Sequence, residues 1–363
     1  MNRRSFLGAA LSAGAAATLP GCRSTGARAP RPRQILVLGG TNFVGPALVE
    51  RALERGHEVT LFNRGRTRPE LFPGCEKLRG DREPATEDLG ALEGTRRWDA
   101  VVDVWPQRSA LVESTARLLA GRADYAFFVS SIAVYADFSR PGITEDAPVH
   151  EDDPGWYGGE KVLAERALEA SFPGRCGVAR CHAILGPRDD GTAYHYWLRR
   201  LAEHGEVLAP GSGLDPVQLV DVRDVARWIV DCVERGRPGV HNLCGPAEGI
   251  SFRSFLETSG RAIGSRARLV WVDADVLRGE YGIQSFSDMP LWAPLDEDEG
   301  FQQISGAREL AAGLRLRPLA HTARDAWAWW SSAAFAGTTF PLGGSGIPRG
   351  RELEILRAWA ARA

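Results

Sequence analysis

The sequence predicts an α/β fold built on a doubly wound parallel sheet. Two observations carry that prediction. Residues 34–63 read as one strand–turn–helix–strand unit, with Gly39-Gly40-Thr41-Asn42-Phe43-Val44-Gly45 as its turn. Strand and helix patterns then keep alternating as far as Cys181, the order that layers helices on both faces of a parallel sheet.

The elements follow in chain order. Ile35 to Leu38 is a short apolar run with the length of a buried strand. Pro46 to Arg55 has helical spacing, with Leu48, Val49 and Leu53 on one face, and Gly56 stops it. Val59 to Phe62 is the second strand. Strands are expected again at Ala100 to Val104, Tyr125 to Val129 and Gly177 to Cys181, and helices at Leu111 to Leu119 and Lys161 to Ala170. The glycine turn has free backbone N–H groups and opens a helix, so it is suited to a dinucleotide pyrophosphate. Ligands of such sheets lie beyond the carboxyl ends of the strands, which directs the search to the segments after them.

Composition narrows the class. The chain has 363 residues, 44% hydrophobic and 25% charged, as in a globular protein. No internal stretch approaches the roughly 20 apolar residues of a membrane span. Asn2-Arg3-Arg4-Ser5-Phe6-Leu7 resembles a twin-arginine export signal, and an Ala/Gly/Leu run follows to Leu19. Leu19-Pro20-Gly21-Cys22 resembles a lipoprotein cleavage box, so a lipid on Cys22 is the one membrane attachment expected. The Arg-, Pro-, Ser- and Gly-rich stretch to Arg33 suits a tether. The expected location is periplasmic or membrane-anchored. Residues 1–33 hold six arginines and no acid, so the formal charge of −2 becomes −8 without them. An acidic body is a poor match to nucleic acid. Cys75, Cys176, Cys181, Cys232 and Cys244 show no CxxC spacing, so no metal site is expected. An oxidised Cys176–Cys181 pair stays open at this point.

Two segments carry chemistry. Ser130-Ser131 follows the Tyr125 strand, and Tyr157-Gly158-Gly159-Glu160-Lys161 begins a helix that puts Tyr157 and Lys161 one turn apart on one face. A phenol with a pKa of about 10 is a poor base at neutral pH. A nearby ammonium and a positive nicotinamide would favour its anion. Ser131 can hold a substrate oxygen beside the phenol, which then exchanges a proton with it.

The order of these motifs resembles the extended short-chain dehydrogenase/reductase superfamily, NAD-dependent epimerase/dehydratase type, over Gln34 to Leu319. The matching residues also include Gly80-Asp81-Arg82, Val134-Tyr135, Gly186-Pro187 and Val222-Arg223-Asp224-Val225-Ala226. The resemblance implies a Rossmann domain over 34–240, with crossover segments, and a smaller substrate lobe mainly in 241–363. It implies NAD or NADP as cofactor. Gly39, Thr41, Asn42, Phe43, Val44, Gly45, Asn63, Arg64, Asp81, Arg82, Ser130, Tyr157 and Lys161 would contact it. Asp81 would meet the adenine, and Lys161 the nicotinamide ribose. Tyr157 would be the acid/base, with Ser131 as its partner. Pairing through two helices into a homodimer is also common in that family.

Several departures shape the expectation. The usual middle glycine of the turn is Asn42, which tolerates left-handed backbone. The same GGTxF form occurs in an atypical branch that includes chloroplast stem-loop RNA-binding proteins. Asn63-Arg64-Gly65-Arg66 replaces the acid that would bind the ribose hydroxyls, and its arginines suit a 2′-phosphate. The expected substrate is a hydroxyl of a sugar or sugar-nucleotide-like molecule; Val217 stands about where sugar-nucleotide epimerases carry a phosphate-gripping Arg, which points to one without a diphosphate, such as a free or glycosidic sugar. Trp156, His182 and His195 are further candidates to line the substrate pocket. Export favours a cofactor retained through an internally balanced epimerisation. An NADP-dependent reductase with exchangeable cofactor, or a non-catalytic nucleotide- or RNA-binding relative, is the alternative.

Overall fold

The computed structural model describes residues 31–362, apart from 84–85, 87, 105–107, 152, 192, 247–248 and 333–344. The export and lipidation motifs, including Cys22, lie outside the described residues. Among the described residues no helix is long and apolar enough to cross a membrane.

Residues 32 onward form one compact unit. Its first βαβ unit comprises β1 (Gln34–Leu38), α1 (Val44–Glu54) and β2 (Glu58–Asn63). β3 (Glu76–Arg79), β4 (Trp98–Asp103), β5 (Ala123–Ser131) and β6 (Cys176–Cys181) follow. A seventh strand, Gly239–Leu243, completes a parallel sheet. The strand order is Gly239–Leu243, β6, β5, β4, β1, β2, β3. The chain winds one way from β1 to β3 and the other way from β4 onward, so a cleft opens at the carboxyl ends of β1 and β4. Leu38 is in register with both Phe62 and Asp103 there.

Helices cover both faces. α1 and α5 (Val222–Arg235) pack on one side, and α2 (Ser109–Leu119) and α3 (Tyr157–Ser171) on the other. α5 has strong stops at both ends: Asp221 caps it through the Arg223 N–H, and Gly236 ends it at φ 59°. α1 has neither a capping side chain nor an acid in its first turn. The Gly45 N–H bonds the Asn42 carbonyl at 2.9 Å and Pro46 has no N–H, so the Val44 N–H and the positive dipole end are what this helix start offers a ligand.

A second core gathers Leu185, Trp197 and Leu198 with Val207–Ala209, Phe252, Phe255, Ala326 and Ile355. α4 (Ala193–Ala202) and α6 (Phe252–Ala262) contribute most of its aromatic groups. The chain enters this lobe along Ala183–Leu185 and leaves it along Leu219–Asp221, and the two segments pair in parallel. The lobe therefore takes in residues well before 241, and the main sheet runs on to Leu243. Inside it Arg200 and Glu352 form a buried ion pair at 2.6 Å, with exposures of 2% and 0%. Glu352 also accepts the Leu208 N–H at 3.0 Å.

Cys176 and Cys181 close opposite ends of β6. Five strand steps separate them by about 16 Å, too far for a disulfide. All five described cysteines are free, and burial raises the pKa of each thiol.

Candidate active site

The glycine turn lies between β1 and α1, and close backbone approach explains its residues. A Cβ on Gly45 would stand 2.6 Å from the Gly40 Cα. A Cβ on Gly40, at φ +91°, would meet Leu61 at 2.7 Å. Left-handed backbone in the second half of the turn falls on Phe43 (φ 39°, ψ −94°), not on Asn42 as the sequence suggested. Asn42 pins the turn with its side chain instead. Its amide donates to Asp190 at 3.0 Å, and its carbonyl accepts from Arg68 at 3.0 Å. Strain at a non-glycine residue is costly and persists where the surroundings impose it.

The turn forms one wall of a cleft of about 380 Å³. Gly39, Thr41, Asn42, Asn63, Arg64, Asp81 and Arg82 line it, which brings together most of the predicted cofactor residues. Phe43, Val44 and Gly45 sit behind it. Val44 and Gly45 are buried in the first turn of α1, and Phe43 packs on the core. Asn63 organises the rim: its amide donates to the Gly39 carbonyl at 2.9 Å, and its oxygen accepts from the Gly65 N–H at 2.9 Å and from Arg79 at 2.7 Å. Arg64 and Arg66 are exposed on the cleft wall, with no hydrogen bond or ion pair among the described residues. Asp81 accepts the Glu83 N–H at 3.2 Å, and Arg82 donates to Asp103 at 2.6 Å.

The proton-transfer candidates meet at the carboxyl end of β5. That strand lies beside β4, after which Val104 lines the cleft. Ser131 ends β5 and acts on the Tyr157 phenol. Lys161 is 4% exposed and donates to the Val129 carbonyl at 3.1 Å. Its ammonium lies 5.5 Å from the centre of the Tyr157 ring, over the face and not at the oxygen. Desolvation raises the phenol's pKa, and the Ser131 hydroxyl only partly opposes it. Tyr157 is 49% exposed, which limits the burial effect. Burial brings Lys161 down to about 8.

Other predicted residues are placed elsewhere. The Ser130 hydroxyl donates to Glu165 at 2.5 Å on the α3 side of the sheet. His182 has both ring nitrogens engaged: Nε2 bonds the Phe301 carbonyl at 2.9 Å, and Nδ1 accepts the Ala183 N–H at 2.7 Å. His195 is in the lobe core, stacked 3.9 Å from Trp330. Trp156 is 38% exposed beside Tyr157, edge-on to His150 at 4.7 Å. Among the described residues no group of His, Cys, Asp and Glu could hold a metal.

Sequence reasoning missed Asp103 and Glu165, the carboxylates near Lys161. One compositional signal did single out the lysine itself. Of 44 Lys and Arg residues only Lys77 and Lys161 are lysine. Lys77 is on the edge strand and donates to the Pro69 carbonyl, whereas Lys161 is buried, where a compact ammonium of adjustable pKa differs most from a guanidinium.

The chain resembles known proteins in sequence and in fold. The family model described as "NAD dependent epimerase/dehydratase family" matches residues 108–244. The chain is 28% identical over 305 residues to the Bos taurus epimerase family protein SDR39U1, covering 78% of this chain and 95% of the relative. It is 30% identical over 277 residues to the Homo sapiens form, covering 69% and 87%. Among solved structures, the Bordetella bronchiseptica enzyme WbmH in complex with NAD+ aligns with a TM-score of 0.61 at 16% identity, over 84% of this chain and 99% of that one. Human SDR39U1 with NADPH aligns at 0.56 and 22% identity, over 81% and 98%. At those identities the structural likeness is one of fold. With the matched segment and the human relative's coverage, the sequence likeness goes further: the chain belongs to the NAD dependent epimerase/dehydratase family.

Proposed function

We propose that the protein is an NAD(P)-dependent oxidoreductase or epimerase whose Tyr157, Lys161 and Ser131 act on a carbon–oxygen centre. The observation that carries this reading is the meeting of those three side chains at the end of β5, beside a glycine-turn cleft. The close approach of Gly40 and Gly45 and the uncapped start of α1 fit a pyrophosphate. The cofactor is NAD or NADP, and when bound its nicotinamide supplies or takes the hydride. The chain's own groups do the rest. Ser131 holds the substrate oxygen, Tyr157 passes a proton to or from it, and Lys161 supplies positive charge that stabilises a developing phenolate. A phenol protonated at neutral pH can give its proton to a carbonyl oxygen as hydride arrives, and in the reverse step it takes a proton from the alcohol. Titration calorimetry with NADH and NADPH tests the reading; heat from neither would end it.

Arg64 and Arg66 fit the 2′-phosphate of NADP. Replacing both with alanine should weaken NADPH binding by about 10- to 100-fold, from the loss of charge-assisted hydrogen bonds, and leave NADH binding nearly unchanged. Equal losses for both cofactors would remove the pair from the choice.

The proposed substrate is a carbohydrate-like alcohol or ketone without a diphosphate. Val217 is 1% exposed in the lobe core and offers no charge. Trp156, exposed next to Tyr157, is the stacking surface in this reading. The N-terminal motifs support export by the twin-arginine route, with cofactor retained and recycled. Native mass spectrometry of the exported fraction would test retention; cofactor-free protein that is active without added NAD(P) would count against it. The acidic body and the assembled Ser131, Tyr157 and Lys161 argue against a non-catalytic RNA-binding role.

A further inference from the structure

Five charges alternate in sign across the carboxyl ends of β4, β5 and β6, beneath α3, and Asp103, Lys161 and Arg180 among them are buried. Arg82 donates to Asp103 at 2.6 Å, with side-chain exposures of 13% and 5%. Asp103 is in register with Phe128 on the neighbouring strand. Register partners in a parallel pair point to the same face, and the Lys161 ammonium stands over that face, 4.8 Å from the Phe128 ring centre. Glu165 follows Lys161 by one turn of α3. It is bound by Arg180 at 2.8 Å, with side-chain exposures of 7% for Arg180 and 10% for Glu165. The row reads Arg82, Asp103, Lys161, Glu165, Arg180.

The middle member differs from the rest. Each flanking carboxylate is already held by an arginine, and Lys161 makes a direct ion pair with neither among the described residues. It feels them at longer range, in a site that water does not screen. Asp103 is the largest attraction opposing the burial of the ammonium, followed by Cys181 and then Glu165. The Cys181 thiol is itself pushed up to about 12 by burial, so it is neutral over the working range. Tyr157 faces the ammonium with its ring.

We propose that Asp103 and Glu165 are positioning residues that hold Lys161 as an ammonium, and that Arg82, which also lines the nucleotide cleft, sets how strongly Asp103 does so. The consequence for catalysis rests on the functional reading above. The electrostatic row itself does not, and it is measured without cofactor or substrate.

Two lysines make the measurement direct. Full-length protein labelled at lysine Cε gives two NMR signals, and Lys77 is the internal reference. In Asp103→Asn the Lys161 titration midpoint should fall by about one unit, a tenfold smaller charged-to-neutral ratio at a given pH above it. In Arg82→Gln it should rise, because the competing guanidinium is gone. A purely structural role would lower the melting temperature and leave both midpoints in place, and that result overturns the proposal. Should Asp103→Asn fail to fold, Arg82→Gln alone decides: a rise supports the row, and no rise ends it. Midpoints that move as expected in a protein without nicotinamide affinity would keep the row and remove the functional reading. Where the enzyme is active, Asp103→Asn should move the alkaline limb of kcat to lower pH with KM little changed.

Discussion

Tyr157→Phe should lower kcat by about 10²- to 10⁴-fold, the usual contribution of a positioned proton donor, while the melting temperature stays close to that of the parent. The substitution removes one oxygen and keeps the ring. That residue is 49% exposed, and Ser131 is the hydrogen-bonding group that acts on its hydroxyl. Surface changes of this kind cost within about 0.5 kcal/mol. Steady-state rates with NADPH and a thermal melt of the same preparation check both halves. Ser131→Ala should cost less than Tyr157→Phe, since it orients the oxygen without moving a proton. Full activity in Tyr157→Phe would turn the site into one that binds without reacting.

The second large effect is expected in the lobe. Glu352→Ala should destabilise the protein by about 3–5 kcal/mol, because it removes the close, buried counter-charge of Arg200 and leaves the more exposed Glu203 at 3.7 Å. Arg200 is 2% exposed, and its guanidinium has Glu352 at 2.6 Å. The Leu208 N–H would also lose its acceptor. Glu352→Gln keeps an acceptor for that N–H and should cost less. Urea unfolding followed by tryptophan fluorescence checks the order, since Trp197 and Trp292 are fully buried in the same core. A loss below about 1 kcal/mol, the scale of an exposed pair, would show that the ion pair contributes little.

The nucleotide half of the molecule was largely legible in the sequence. Its signals are local: an apolar strand, a glycine turn and a helix within about 30 residues. β3 was not anticipated because Glu76–Arg79 reads EKLR, with one apolar residue and no alternation to betray a strand at the sheet edge. The lobe was indistinct because many of its strands are only two to five residues long and its segments come from both sides of α5. Tyr157 and Lys161 were visible through helical spacing. Their electrostatic setting was only partly so: Glu165 follows Lys161 by one helical turn, but Asp103 comes near it only once β4 and β5 lie side by side. The turn shows the same limit. Composition pointed to Asn42 as the residue bearing unusual backbone, while the packed α1 puts that burden on Phe43.

The sulfur chemistry of the chain follows from where its thiols are kept. Four of the five described cysteines are buried, and each holds its proton. A protonated thiol is a feeble nucleophile, so peroxide, mixed disulfides and alkylating reagents find almost no foothold on these four. Among the described cysteines iodoacetamide should mark Cys75 first, and dithiothreitol should leave the melting curve unaltered. The fold is therefore indifferent to whether its surroundings are reducing or oxidising.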